Sequence, residues 1–220
     1  PDNTDLHTYA AQAYYGYAYG FNEDTKPRRA AKLYVRGLDH GITALEQQGI
    51  MGARTITVEQ FEQALQNLGE DDVDTLFWTA MNWAKWVDIN RDSPEGIIAL
   101  PRVTALMQRV LELDESYYHG GAHLYFGVYY GSRAPTLGGD FARAEGHFDR
   151  VRYLTDDNLL MVDILQAQYL ERQRFDQAKF SALLNRVIEA PDDLDPNLAL
   201  INQVAKRKAK NLLGRQAAWF

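Results

Sequence analysis

The apolar residues of this chain recur at the spacing of one helix face nearly from end to end. Windows such as "RAAKLYVRGLDHG" and "PRVTALMQRVLELDESY" place them three and four residues apart, and no stretch alternates in the manner of a strand. The breaks between windows are short and polar, which favours antiparallel helix neighbours. The sequence therefore predicts an all-α protein of about ten helices, at 5–21, 28–48, 57–68, 72–90, 97–113, 116–131, 140–154, 158–173, 176–189 and 196–213.

Four of these helices repeat a pattern of small and larger apolar residues that is typical of tetratricopeptide-like (TPR-like) helix hairpins. The small residues allow a paired helix to approach, and the larger ones fill the remaining space. We therefore expect a degenerate TPR-like helical-hairpin solenoid that forms a single domain over residues 1–220. The positions are Ala30, Tyr34 and Gly37; Val103, Met107 and Val110; Gly139, Ala144, Phe148 and Val151; and Phe180, Leu184 and Val187.

Composition narrows the class of protein. A chain of 220 residues that is 46% hydrophobic can bury a substantial core. Its net charge of -7 argues against nucleic acid as a partner, because nucleic-acid binding needs a basic surface. The absence of cysteine excludes disulfides and thiolate metal sites. The chain starts with Pro1 rather than methionine, which suggests a processed or trimmed N-terminus.

The predicted helix at 117–131, "YYHGGAHLYFGVYYG", carries no charge. A helix that is uncharged on every face is expected to be enclosed on every face, partly by protein core and partly by a ligand cleft. At helical spacing, one of its stripes contains His119, His123, Phe126 and Tyr130.

Tryptophan and asparagine recur in a similar way in "TLFWTAMNWAKWVDIN". Such side chains suit both protein cores and ligand pockets, and the sequence leaves both interpretations open. Arg133 opens a long loop, where it could clamp a carboxylate or simply pair with Asp140. The candidate ligand-binding residues are Trp78, Asn82, Trp86, His119, His123, Tyr130 and Arg133.

Motifs for catalysis are lacking. There is no HExxH, no GxSxG and no phosphate-binding glycine loop. His119 and His123 have the spacing of a zinc pair, with Glu115 one turn earlier, but Gly120 and Gly121 loosen that frame. We therefore expect no catalytic residue, no metal site and no cofactor.

Two segments carry a family resemblance: "YYHGGAHLYFGVYYGSRAPTLGGD" and "LALINQVAKRKAKNLL". With "RAAKLYVRGLDHGITALE", they resemble the TatT family, the TPR-like component associated with tripartite ATP-independent periplasmic (TRAP) transporters. The resemblance covers nearly the whole chain. It implies a periplasmic lipoprotein that is not an enzyme, associates with the transporter's solute-binding protein and forms a homo-oligomer, a trimer. The family's lipid-attachment cysteine is absent from this chain.

Two functions follow as hypotheses. In the first, the protein binds or passes a small organic solute, acidic or partly apolar, in a concave cleft and docks the solute-binding protein. In the second, it is a pure protein–protein scaffold whose aromatic residues are core. The loops "NRDSPEGI" and "GSRAPTLGGD" are the expected docking elements, because insertions in repeat proteins collect on a binding face.

Overall fold

The computed structural model describes residues 3–90 and 93–220, and all regular secondary structure in them is helical. This confirms the predicted all-α class. A π-helical segment, Gln166–Glu171, lies between the helices Met161–Leu165 and Arg172–Arg174. The helices are α1 (Thr4–Phe21), α2 (Pro27–Gln47), α3 (Val58–Leu65), α4 (Val73–Ile89), α5 (Pro94–Leu113), α6 (Tyr117–Gly131), α7 (Phe141–Leu154), α8 (Met161–Leu165), α9 (Arg172–Arg174), α10 (Gln177–Glu189) and α11 (Ala199–Leu213).

Helix starts coincide with the caps expected from the sequence. The Asp140 side chain accepts a hydrogen bond from the Arg143 amide, and Asp176 accepts one from the Lys179 amide. Each carboxylate satisfies an amide that the helix itself leaves unpaired. Pro27 occupies the first position of α2, where a missing amide proton costs nothing.

The repeated small-and-large positions are core positions. With one exception they are buried, and the larger members of the set are completely inaccessible or nearly so. The exception is Gly139, which lies half-exposed in the loop before α7. The predicted burial is thus confirmed for Ala30, Tyr34, Gly37, Val103, Met107, Val110, Ala144, Phe148, Val151, Phe180, Leu184 and Val187.

The chain divides into two compact units, of which the first ends at Tyr117 and the second begins at Tyr118. In the first unit, α4 packs against α1, α2 and α5, and α3 packs against α5. Glycines bring α2 close to α4, because a Cβ at Gly37 would collide with the Asn82 side chain. The expected single domain stays a prediction.

In the second unit, α10 packs against α11, α8 and the π-helical segment. A network of charged side chains joins α7, α8 and α10. The fully buried Asp163 accepts hydrogen bonds from Arg152 at 2.8 Å and from Arg186 at 2.5 Å. Buried carboxylates are tolerated when cations and hydrogen bonds satisfy them, and Asp163 has both.

The beginning of α6 differs from the prediction. Tyr118, His119 and Gly120 have φ values of 46°, 61° and 74°, so they form a left-handed turn rather than the first turn of a helix. Such a conformation is unfavourable for residues with a Cβ, whereas Gly120 adopts it readily. The expected stripe joining His119 to His123 is therefore wrong, because regular helix begins only after Gly120.

The expectation that α6 is enclosed on every face is also wrong. One face is buried, formed by Ala122, Phe126, Gly127 and Gly131. The remaining residues from His123 to Tyr130 are half-buried, and Tyr118 is 42% exposed. Close contact of Gly127 with Phe148 of α7 explains the buried face, since a Cβ at Gly127 would lie 2.6 Å from that ring.

Candidate functional site

Three of the predicted ligand residues lie in one cluster of the second unit. His123 of α6 contacts His147 of α7, with their Nδ1 atoms 2.8 Å apart. Tyr130 stacks on His147 at a ring separation of 5.9 Å and an interplanar angle of 14°. Tyr130 also meets Tyr129 edge-on at 5.1 Å, and Arg133 lies over the Tyr129 ring. We call this set, with Arg143 described below, the α6–α7 aromatic cluster.

Arg133 does not form the ion pair considered from the sequence. Its guanidinium carbon lies 4.2 Å from the Tyr129 ring centroid, within the range of a cation–π contact. Asp140 instead caps α7 by accepting the Arg143 amide. Within residues 3–90 and 93–220, no acidic side chain neutralises Arg133.

Arg143 belongs to the same cluster and was not anticipated from the sequence. Its guanidinium carbon lies 4.1 Å from the Tyr130 ring centroid, and in the described part of the chain it too has no acidic partner. Two adjacent tyrosines of α6 therefore each carry a stacked guanidinium. A guanidinium whose carbon lies over a ring still has N–H donors at its edge, and these can bind an anion bidentately.

His147 was also missed, and its electrostatics are distinctive. Burial lowers its pKa to about 4, and the neighbouring His123 and Arg143 act in the same direction. The ring is therefore neutral at pH 7. The sequence offered no signal for this role, because the partners of His147 lie on another helix.

His119 stands apart from the cluster. It is exposed in the left-handed turn, with Tyr118 as a ring neighbour at 5.5 Å. Its separation from His123 by non-helical backbone removes the arrangement that a zinc pair at helical spacing requires. In the described part of the chain, no three His, Cys, Asp or Glu side chains group as a metal site.

The other three predicted residues belong to the first unit, on α4. Trp78 and Asn82 are buried there, at 2% and 0% exposure, while Trp86 is half-buried. The Asn82 amide donates to the Ala11 carbonyl of α1 at 3.0 Å and to the Trp78 carbonyl at 2.8 Å. The Trp78 ring also contacts Tyr15 of α1 at 5.8 Å. Trp78 and Asn82 therefore hold α1 against α4, and the role of all three residues in ligand binding stays a prediction.

Two open depressions lie on the first unit, and neither is lined by a predicted site residue. The larger, about 610 Å³, is bordered mainly by the carboxylates Glu70, Asp71, Asp74 and Asp114. Burial raises the pKa of Asp74, and its acidic neighbours Asp5 and Asp72 add to this effect. Both properties make that depression a poor place for an organic acid.

The loop "GSRAPTLGGD" is compact. Pro135–Leu137 forms a short 3-10 turn, the Gly139 amide donates to Ala134, and the Asp140 amide donates to Tyr130. The tip residue Leu137 is 76% exposed. The other expected docking loop, "NRDSPEGI", lies partly outside the described residues, at 91 and 92.

Comparison with known proteins identifies the family. Within residues 3–90 and 93–220, no helix has both the length and the apolar character to cross a bilayer. Among curated proteins, none matches the sequence. A family model described as the TRAP transporter T-component, TAtT, matches residues 1–220. The resemblance inferred from the two motif segments is thereby confirmed, and the chain belongs to the TAtT family of TRAP transporter T-components.

Proposed function

We propose that this T-component binds a small organic acid at the α6–α7 aromatic cluster and presents it to the transporter's solute-binding protein, without catalysing a reaction. The observation that carries the proposal is Arg133, a half-buried residue whose guanidinium lies over the Tyr129 ring with no acidic partner in the described part of the chain. In a chain of net charge -7, an arginine left without a carboxylate is available to an anionic ligand.

The chemistry of the cluster suits a ligand with an acidic end and an apolar body. Arg133 supplies a forked donor for a carboxylate, and Arg143 lies over the neighbouring tyrosine as a second donor. The half-buried rings of Tyr129 and Tyr130 offer apolar surface beside these charges. His147 is neutral at pH 7, so it adds a polar edge without adding charge.

Docking is assigned to the loop that follows α6. Its exposed Leu137 gives a partner protein an apolar contact, and Pro135 restricts the chain beside it. The backbone bonds from Gly139 and Asp140 hold the loop in shape, which lowers the entropy cost of binding. Since Arg133 lies in the same loop, a docked partner would lie next to a bound ligand.

Trp78, Asn82 and Trp86 are kept as candidate ligand residues. Because Trp78 and Asn82 are buried, their substitution is expected to lower the free energy of unfolding as well as any ligand affinity. The second function, a scaffold without ligand, is favoured by that same burial. In the scaffold hypothesis, docking depends on Leu137 while no organic acid binds.

Location and assembly are part of the proposal, and family membership supports it. We place the protein in the periplasm, anchored by lipid and assembled as a trimer beside the solute-binding protein. Cell fractionation and native mass spectrometry of protein from its own source test these assignments. The same mass spectra report any organic acid that co-purifies.

Calorimetry with a panel of mono- and dicarboxylic acids tests the ligand. Binding should weaken in Arg133→Gln and persist in Arg29→Gln, which removes a stacked arginine over Tyr17 in the first unit. Docking is tested with Leu137→Ser, which leaves the loop backbone unchanged, against the cognate solute-binding protein. If Leu137→Ser loses docking and the wild type binds no acid, the scaffold hypothesis is favoured. Intact docking in Leu137→Ser would contradict the assignment of the loop.

A further inference from the structure

A pair of histidines with the same geometry occurs in each of the two units. In the first unit, His7 of α1 and His40 of α2 have their Nδ1 atoms 2.9 Å apart, with ring centroids 5.1 Å apart at 45°. In the second, His123 and His147 give 2.8 Å, 5.1 Å and 44°. The number of residues between the two histidines differs from one pair to the other. The shared geometry therefore comes from the way in which the two helices pack in each unit.

A tyrosine completes both arrangements in the same way. Tyr14 lies seven residues after His7 and stacks on His40 at 5.7 Å and 16°. Tyr130 lies seven residues after His123 and stacks on His147 at 5.9 Å and 14°. In each unit the first helix thus provides one histidine and holds the ring of the other in place. Of the five histidines in the chain, the exposed His119 belongs to neither pair.

Two converging Nδ1 atoms can hold a metal ion as well as share a proton. Zinc lies about 2.0–2.1 Å from imidazole nitrogen, so two nitrogens on a tetrahedral ion are about 3.3 Å apart. The observed separations of 2.9 and 2.8 Å would need to open by about 0.5 Å, a change within the reach of side-chain rotation. Imidazole suits zinc, nickel and copper.

We propose that each histidine pair, His7 with His40 and His123 with His147, is a binding site for a divalent transition-metal ion such as Zn²⁺ or Ni²⁺. Two nitrogens from the protein leave the remaining coordination positions to water, so each site is open. The ion would join α1 to α2 in the first unit and α6 to α7 in the second. His123 and His147 also belong to the α6–α7 aromatic cluster, but metal binding by either pair does not require that an organic acid binds there.

The two sites should differ in affinity. Arg143 stacks on Tyr130, which itself stacks on His147, so a fixed positive charge lies close to the second pair. Near the first pair, Asp39 adjoins His40 in the chain, and its carboxylate is paired with Arg54 at 2.6 Å. A cation is therefore expected to bind the His7–His40 pair more tightly than the His123–His147 pair.

Calorimetric titration of the full, metal-stripped chain with ZnCl₂ and then with NiCl₂ at pH 7.5 tests the proposal. The wild type should bind two ions, the tighter one lost in His40→Gln and the weaker one in His147→Gln. His119→Gln is the matched control and should keep both. Circular dichroism checks that each variant is folded. We expect this result, because glutamine is tolerated well in helices.

A spectroscopic measurement on the wild type tests the proposal without any variant, so it does not matter whether the variants fold. Electron paramagnetic resonance of the Cu²⁺-loaded protein should show hyperfine coupling to two imidazole nitrogens per ion. The proposal is overturned by any of three results: no ion binding to the wild type, binding of two ions in His40→Gln and His147→Gln as in the wild type, or coupling to a single nitrogen. In each case the pairs would be hydrogen bonds between helices and nothing more.

Discussion

The guanidinium carbon of Arg133 lies 4.2 Å from the ring centroid of Tyr129, four residues earlier in the chain. This contact holds the side chain in place while its N–H edge remains free to bind an anion. If an organic acid binds there, replacing Arg133 with glutamine should weaken it by about 1.5–3 kcal/mol, the value of a hydrogen bond to a charged group. That range corresponds to a rise in Kd of about 10- to 150-fold.

Calorimetry with the tightest-binding acid of the panel measures this change. Arg133→Lys provides a second comparison, because lysine keeps the charge but loses the planar fork, and its affinity should be intermediate. Equal affinity in wild type and Arg133→Gln for every acid tested would exclude Arg133 from the site.

Packing of α6 on α7 predicts a large effect at Gly127. A Cβ there would lie 2.6 Å from the buried Phe148 ring, so Gly127→Ala should lower the free energy of unfolding by about 1–3 kcal/mol. Gly146 of α7 is the matched control, since a Cβ there meets nothing within 4 Å. Gly146→Ala should raise the stability by about 0.5–1 kcal/mol, and urea unfolding compares the two. A Gly127→Ala protein as stable as wild type would contradict the close contact.

The buried carboxylate of Asp163 predicts a contrast between two aspartates that bind the same arginine. Arg152 donates to Asp163 at 2.8 Å and to Asp149 at 2.9 Å, but the Asp163 side chain is 1% exposed and the Asp149 side chain 66%. Asp163→Asn removes the buried charge that Arg152 and Arg186 share and should cost about 1.5–3 kcal/mol of stability, the value of hydrogen bonds to a charged group. Asp149→Asn should cost less than about 1 kcal/mol. Similar unfolding midpoints for the two variants would show that the network contributes little.

Asp74 predicts a pH dependence of stability. Burial raises its pKa above the ordinary 3.8, and its acidic neighbours add to the shift. The folded state therefore holds this proton more tightly than the unfolded state, so the contribution is present below pH 3.8 and is lost as pH rises through the folded pKa. Asparagine can still accept the Thr75 amide, which lies 2.7 Å from Asp74.

Urea unfolding at a series of pH values measures this contribution. Asp74→Asn should reduce the loss of stability on going from pH 4 to pH 7. The exposed Asp71, on the border of the same depression, is the control, and Asp71→Asn should keep the wild-type profile. An unchanged profile in Asp74→Asn would refute the assignment.

The predictions from the sequence were wrong at the start of α6, where the backbone is not helical. The stripe linking His119 to His123 assumes a regular helix from residue 117, whereas three consecutive left-handed residues rotate His119 away. The pair Gly120–Gly121 was a signal of a break at this point, since glycine adopts positive φ without steric cost.

The sequence by itself determined the all-helical class, the capped helix starts at Asp140 and Asp176, the family and the buried positions such as Phe148 and Phe180. These depend on caps and on periodicity, which are properties of neighbouring residues. Only the tertiary structure decided that His123 meets His147, that Arg143 lies over Tyr130 and that Asp163 lies between two arginines. Each of these contacts joins residues on different helices, and the rotation of one helix against another is set by close packing of whole surfaces.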